Sequence, residues 1–160
     1  MSHMEVLYPE ERAELYPVIL ERLTALTDGV PHLIANLANA SALLNEALAD
    51  INWVGFYLVE GDRLVLGPFQ GKTACIEIPA GRGVCGTALA RDEIQLVYDV
   101  HQFPGHIACD SASNSEIVVP LHKDGAVVAV LDIDSPTVGR FTQEDRDGLT
   151  QVGRVLEKLF

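Results

Sequence analysis

Residues 126–134 read Ala-Val-Val-Ala-Val-Leu-Asp-Ile-Asp, apolar on both faces until the last three positions. A strand of this kind belongs in the centre of a sheet, where both of its faces are covered. Residues 115–122 form a second strand, and Lys123-Asp124-Gly125 joins the two. Asp-Gly between two apolar runs is a strong short-range hairpin signal. Side chains two apart on a strand share a face, so Asp132 and Asp134 point the same way at the end of the central strand.

Further strands fall on either side of this hairpin. Residues 52–59 are rich in β-branched and aromatic side chains, and Glu60-Gly61-Asp62 turns them back into 63–66. Alternation puts Val54, Phe56 and Leu58 on one face, the better core face. Trp53, Gly55 and Tyr57 take the other, with the glycine leaving space between two aromatics. Residues 75–78 read as a strand closed by Pro79, and 94–98 as another short one. Between them, Gly81 to Ala88 is a glycine-rich turn feeding a short helix that ends near Arg91-Asp92. The Lys and Ser/Thr of a phosphate loop do not follow its glycines. Residues 99–115 form an irregular stretch, and so long a loop in a small chain is uncommon unless it is functional.

Helices flank the strands. Pro9-Glu10-Glu11 starts one, and Pro17 opens a second run over 18–26 that Asp28-Gly29 stops. Pro31 starts a longer helix to about Leu48. Thr142 and Asp145 resemble a capping box before a last helix that buries Leu149, Val152, Leu156 and Leu159. Helical regions at both ends around a mostly antiparallel sheet make an α+β sandwich. Residues 5–160 are read as one domain, and Met1-Ser2-His3-Met4 as an expression-tag remnant.

The chain has 160 residues and a net charge of −12. That charge argues against nucleic acid and anionic membranes as partners, since both select basic surfaces. No run of about 18 apolar residues and no export signal is present, so neither a membrane span nor secretion is supported. Cytoplasmic placement is expected. Three cysteines, Cys75, Cys85 and Cys109, cannot all pair within one chain. In a reducing compartment a disulfide tends to be transient and catalytic.

Cys109 sits among Gly105, Ser111, Ser113, Asn114 and Ser115, in surroundings that leave a thiolate reachable, and a reachable thiolate is the reactive form. Cys85 falls at a helix N-terminus, where the dipole favours a thiolate and lowers its pKa. Burial of Cys75 and Cys85 as small apolar side chains is the competing reading. A zinc site from His101, His106, Cys109 and Cys85 is a further alternative, although their spacing matches no compact zinc pattern.

Several segments together resemble a known family: Asn52-Trp53-Val54-Gly55-Phe56-Tyr57, Gly67-Pro68-Phe69-Gln70-Gly71, Gly83-Val84-Cys85-Gly86, His106-Ile107-Ala108-Cys109-Asp110, Ser113 to Pro120, and Leu131-Asp132-Ile133-Asp134-Ser135. They resemble the free methionine-(R)-sulfoxide reductases, stand-alone GAF domains, from about Tyr8 to the C-terminus. The resemblance implies a six-stranded antiparallel sheet, with terminal helices on one face and a ligand pocket on the other. It implies Cys109 as nucleophile, Cys85 as its resolving partner in a disulfide, and Cys75 as an auxiliary thiol. Trp53 and Tyr57 would flank the substrate's methyl-sulfinyl group, while Glu116, Asp132 and Asp134 would bind its amino acid end and its oxygen. Thioredoxin is the expected reductant, no metal or cofactor is expected, and the helical layer offers a surface for a homodimer. The rival reading is a GAF module that senses a small ligand without catalysis. Against it, no output domain follows Phe160, and a sensor has no need of thiols in its loops.

Overall fold

The computed structural model describes residues 7–107 and 111–160. The tag-like Met1–Met4 and the expected nucleophile Cys109 lie outside the described residues. The elements run α1 (Arg12–Thr27), α2 (Leu33–Ala47), β1 (Trp53–Glu60), β2 (Arg63–Gly71), β3 (Glu77–Pro79), α3 (Gly83–Arg91), β4 (Gln95–Val97), a 3₁₀ turn (Val100–Gln102), β5 (Ser115–Lys123), β6 (Ala126–Ser135) and α4 (Gln143–Glu157). The sheet has six strands in the order β3-β2-β1-β6-β5-β4, each pair antiparallel. The apolar strand β6 is central, between β1 and β5, as its two-faced pattern requires. Pro120 falls on β5 past its last β4 partner, Val118, where β5 has β6 alone as a neighbour and a missing N–H is tolerated.

One face of the sheet carries the main core. Val54, Phe56, Ile117, Val119, Leu121, Leu131 and Ile133 pack there against Ile19 and Leu23 of α1, Leu37 and Leu44 of α2, and Leu149, Val152 and Leu156 of α4. Each fully buried aliphatic side chain of this set contributes roughly 1.5–3 kcal/mol of transfer free energy. The opposite face carries Trp53, Tyr57, Val118 and Val130, covered by Val84, Cys85 and Ala88 of α3. Alternation along β1 therefore sorts its side chains as the pattern predicts. Three helices make the structural layer, and the short helix α3 covers the second face.

The first helical region differs from expectation. Pro17 does not open a new run but lies inside the continuous helix α1. Its ring removes one backbone bond, to the carbonyl of Ala13, yet both residues are on the exposed side of the helix. Water can take that carbonyl, so the helix continues.

Asp145 fastens α1 to α4. It is 1% exposed, and its carboxylate accepts from Arg12 Nε at 2.9 and 3.0 Å and from Tyr16 Oη at 2.8 Å. The same carboxylate accepts from the backbone N–H of Thr142 at 2.9 Å, completing the capping box of α4. The helices approach closely at Gly148, where an added Cβ would stand 2.3 Å from the Tyr16 ring. Asp145→Ala leaves the buried Tyr16 hydroxyl and the Arg12 guanidinium without their acceptor and removes the cap. We expect a loss of about 3–5 kcal/mol, read as a lower urea midpoint with an unchanged slope. A loss under about 1 kcal/mol would show that the cluster acts as a surface ion pair.

Candidate active site

The register of the central strands assembles a pocket on the α3 side of the sheet. Glu116 on β5 is the Cα partner of Asp134 on β6, and Asp134 and Asp132 pair with Trp53 and Gly55 of β1. Trp53, Tyr57, Glu116, Asp132 and Asp134 therefore converge, and all five line one pocket with Cys85, Arg82, His106 and Ser113. The pocket is partly open to solvent, with a cavity of about 40 Å³. Its walls come from Thr73 and Ala74 after β2, from Arg82 to Cys85 at the start of α3, and from His106 and Ile107.

The aromatic wall is a stack. The Trp53 ring lies 5.0 Å from that of Phe69, at 15° between planes, and 6.0 Å from that of Tyr57, at 23°. The space expected beside Gly55 is filled by β2. An added Cβ there would stand 2.3 Å from Phe69 Cβ, at a register shift between Gly55 and Tyr57. The glycine thus admits a neighbouring strand, not a ligand. Trp53 Nε1 donates to the Lys72 carbonyl at 3.1 Å and Tyr57 Oη to the Cys75 carbonyl at 2.9 Å, so both aromatics hold the 72–75 segment over the pocket. Burial, reinforced by the Asp132 charge, pushes the Tyr57 pKa up, which keeps its hydroxyl a donor.

The carboxyl groups set the electrostatics. Glu116 and Asp132 are buried, at 7% and 5% exposure. Burial pushes the Glu116 pKa well up, and the charges of Asp132 and Asp134 push it further. Burial also raises Asp132, but hydrogen bonds from Glu116, Cys85 and Asp134 oppose that rise. Both carboxyl groups are thus raised, Glu116 the more strongly, and the pair holds a proton between them. Asp132 Oδ1 is buried without a hydrogen-bond partner among the described residues. His106, with Nε2 at 4.0 Å from Glu116 Oε1, is held toward its neutral form, first by burial and then by the charge of His101.

The cysteines depart from expectation. Cys75 is disulfide-bonded, while Cys85 is free and buried. The expected disulfide through Cys85 is thus not formed in this structure, and Cys75 is bonded in its place. Cys85 does sit in the first turn of α3, but its pKa is raised rather than lowered. Burial and the charges of Asp132, Glu116 and Asp134 outweigh the helix dipole, and its thiol hydrogen-bonds Asp132. The alternative zinc set does not assemble among the described residues: His101 Nε2 is 3.0 Å from Asn114 Oδ1. The one group of three metal-competent donors found there is instead Cys85, Glu116 and Asp132. Sequence reasoning also passed over Arg82 and Ser113 as pocket residues. Arg82 had a signal, standing just before the helix start that the glycines mark, whereas Ser113 had none beyond its place in a polar loop.

The fold and this pocket define a GAF domain, and the GAF domain family model matches residues 14–159. The Escherichia coli protein named free methionine-R-sulfoxide reductase is 58% identical over 148 residues, covering 92% of this chain and 90% of that protein. The Saccharomyces cerevisiae protein of the same name is 43% identical, covering 92% and 86%. The X-ray structure of free methionine-R-sulfoxide reductase from Neisseria meningitidis in complex with its substrate superposes with a TM-score of 0.94, at 45% identity, covering 99% of this chain and 96% of that one. The chain belongs to the free methionine-R-sulfoxide reductases, a family of oxidoreductases.

Because its folded pKa is raised, Glu116 holds more proton in the folded than in the unfolded chain at every pH between the two values. Its contribution to stability is full below the unfolded value near 4.5 and is lost as pH rises toward the folded one. Glu116→Gln, neutral and of the same shape, removes that dependence. Urea denaturation should find the variant more stable than wild type at about pH 8, with the gap closing toward about pH 4. A gap that does not change with pH would contradict a proton held at Glu116.

Proposed function

We propose that this chain reduces free L-methionine-(R)-sulfoxide to methionine through Cys109 and Cys75. The observation that carries the reading is the buried Glu116–Asp132 pair beneath the Trp53–Tyr57 stack, one carboxyl protonated beside a carboxylate with an open lone pair. Relatives named for this activity over nine-tenths of the chain support it. A sulfoxide sulfur is a poor electrophile until its oxygen accepts a proton, and Glu116 is the acid for that step. Asp132 and Asp134 take the substrate ammonium, and Arg82 with the α3 N-terminus takes its carboxylate. The methyl-sulfinyl group lies against Trp53 and Tyr57. A peptide-bound methionine carries an uncharged amide where the free ammonium stands, which would leave the acidic groups without a cation.

The Cys109 thiolate attacks the activated sulfur. Net oxygen transfer gives a sulfenic acid on Cys109, oxidised by two electrons, and methionine, reduced by two. The Cys75 thiolate then attacks the sulfenic sulfur and forms the disulfide, and the departing hydroxide leaves as water. Cys75 takes this role, and not Cys85, because Cys75 is the cysteine that the fold leaves half-buried and disulfide-bonded. An external dithiol, thioredoxin in the cytoplasm, returns both thiols by exchange. A homodimer through the helical layer leaves this face open.

The test is methionine release from the free sulfoxide with thioredoxin as reductant. Cys109→Ser should lose on the order of 10³-fold or more of the wild-type rate. Cys75→Ser should release one equivalent and then stop. Continued cycling by Cys75→Ser would refute its assignment, and full turnover by Cys109→Ser would refute the thiol mechanism.

A further inference from the structure

Cys85 has no part in the disulfide chemistry above, yet its sulfur lies on the pocket floor among carboxyl groups. Cys85 Sγ and one oxygen each of Glu116 and Asp132 lie within 4.8 Å of one another, all three residues buried. Independently, Asp132 Oδ1 is buried in the pocket lining with no hydrogen-bond partner among the described residues. A desolvated carboxylate lone pair without a donor is costly, and a cation relieves it. Tetrahedral zinc, with bonds of about 2.0–2.3 Å, sets its ligand atoms about 3.6 Å apart, so the three donors need to close by about 1.2 Å at most. One sulfur and two carboxylates with a fourth position open to the cavity is a donor set that zinc accepts.

We propose that Cys85, Glu116 and Asp132 bind a borderline-soft divalent cation of the zinc class, and that the bound ion shuts the pocket to substrate. The sulfur selects zinc, cobalt or cadmium over magnesium and calcium, which prefer oxygen alone. Binding changes no oxidation state. The thiol proton and the proton held among the carboxyl groups pass to solvent as the dication enters. The ion stands where the substrate ammonium would, so the exclusion of substrate rests on the function proposed above, whereas the cation site does not.

The probe is Co²⁺ as a visible surrogate for Zn²⁺, added to the full chain carrying Cys75→Ser and Cys109→Ser, in which Cys85 is the sole thiol. One equivalent should bind and produce a sulfur-to-cobalt charge-transfer band in the near ultraviolet, which Zn²⁺ bleaches. Cys85→Ala in that background should lose the band, and Asp132→Asn should weaken Co²⁺ by about tenfold or more. Each variant is first matched to its parent by urea midpoint. Methionine-(R)-sulfoxide should diminish the band by competition. No band, or a band that both Asp132→Asn and Glu116→Gln leave unchanged, overturns the site; a band indifferent to the sulfoxide overturns the exclusion. The band reads the cation site whether or not the protein turns over, so failed metal binding and failed catalysis are separate results.

Discussion

Two neighbouring strands carry three carboxyl groups into one pocket, and those groups cannot all ionise cheaply. Glu116 and Asp134 face each other across the β5–β6 ladder, and Asp132 lies two residues before Asp134 on the same face. Burial raises both Glu116 and Asp132, Glu116 the more strongly because the neighbouring carboxyl charges add to it, so the cluster holds a proton. The cluster thus pairs a held proton with hydrogen-bond acceptors in one pocket. The buried Cys85 thiol, raised by burial and by the charges of this cluster, belongs to this inventory too.

The rest of the fold keeps that cluster in place. Stability resides mostly on the other face, where α1, α2 and α4 bury the apolar sides of β1, β5 and β6, and Asp145 locks α1 to α4. The pocket face is thinner, with α3 and the loops covering the aromatic and acidic side chains. Tyr57 and Trp53 join the two functions, since their rings line the pocket while their polar ends hold the backbone of the Cys75 segment.

Much of this was legible in the residues. The Lys123-Asp124-Gly125 turn and the two-faced apolar run after it placed β6 at the centre of the sheet. Period-two spacing put Asp132 with Asp134, and Val54 with Phe56, on the faces they occupy. The Thr142–Asp145 box marked the start of α4. What failed depended on contacts distant in sequence. Pro17 reads locally as a helix start, and which side of α1 meets solvent is decided by α2 and α4. The gap at Gly55 is taken by Phe69, its cross-strand partner on β2. Cys85 lies at a helix N-terminus, as its glycines suggest, but the sheet beneath that turn supplies three carboxyl groups that no local signal foretells. That Cys75 is bonded while Cys85 stays free was invisible for the same reason.

The most direct measurement is a peptide map of the reduced wild-type chain after one equivalent of free methionine-(R)-sulfoxide, alkylated and digested without reductant. The account predicts a Cys75–Cys109 linked pair with Cys85 alkylated, formed in step with methionine release. A linked pair containing Cys85, or methionine released with all three thiols still alkylated, would contradict it.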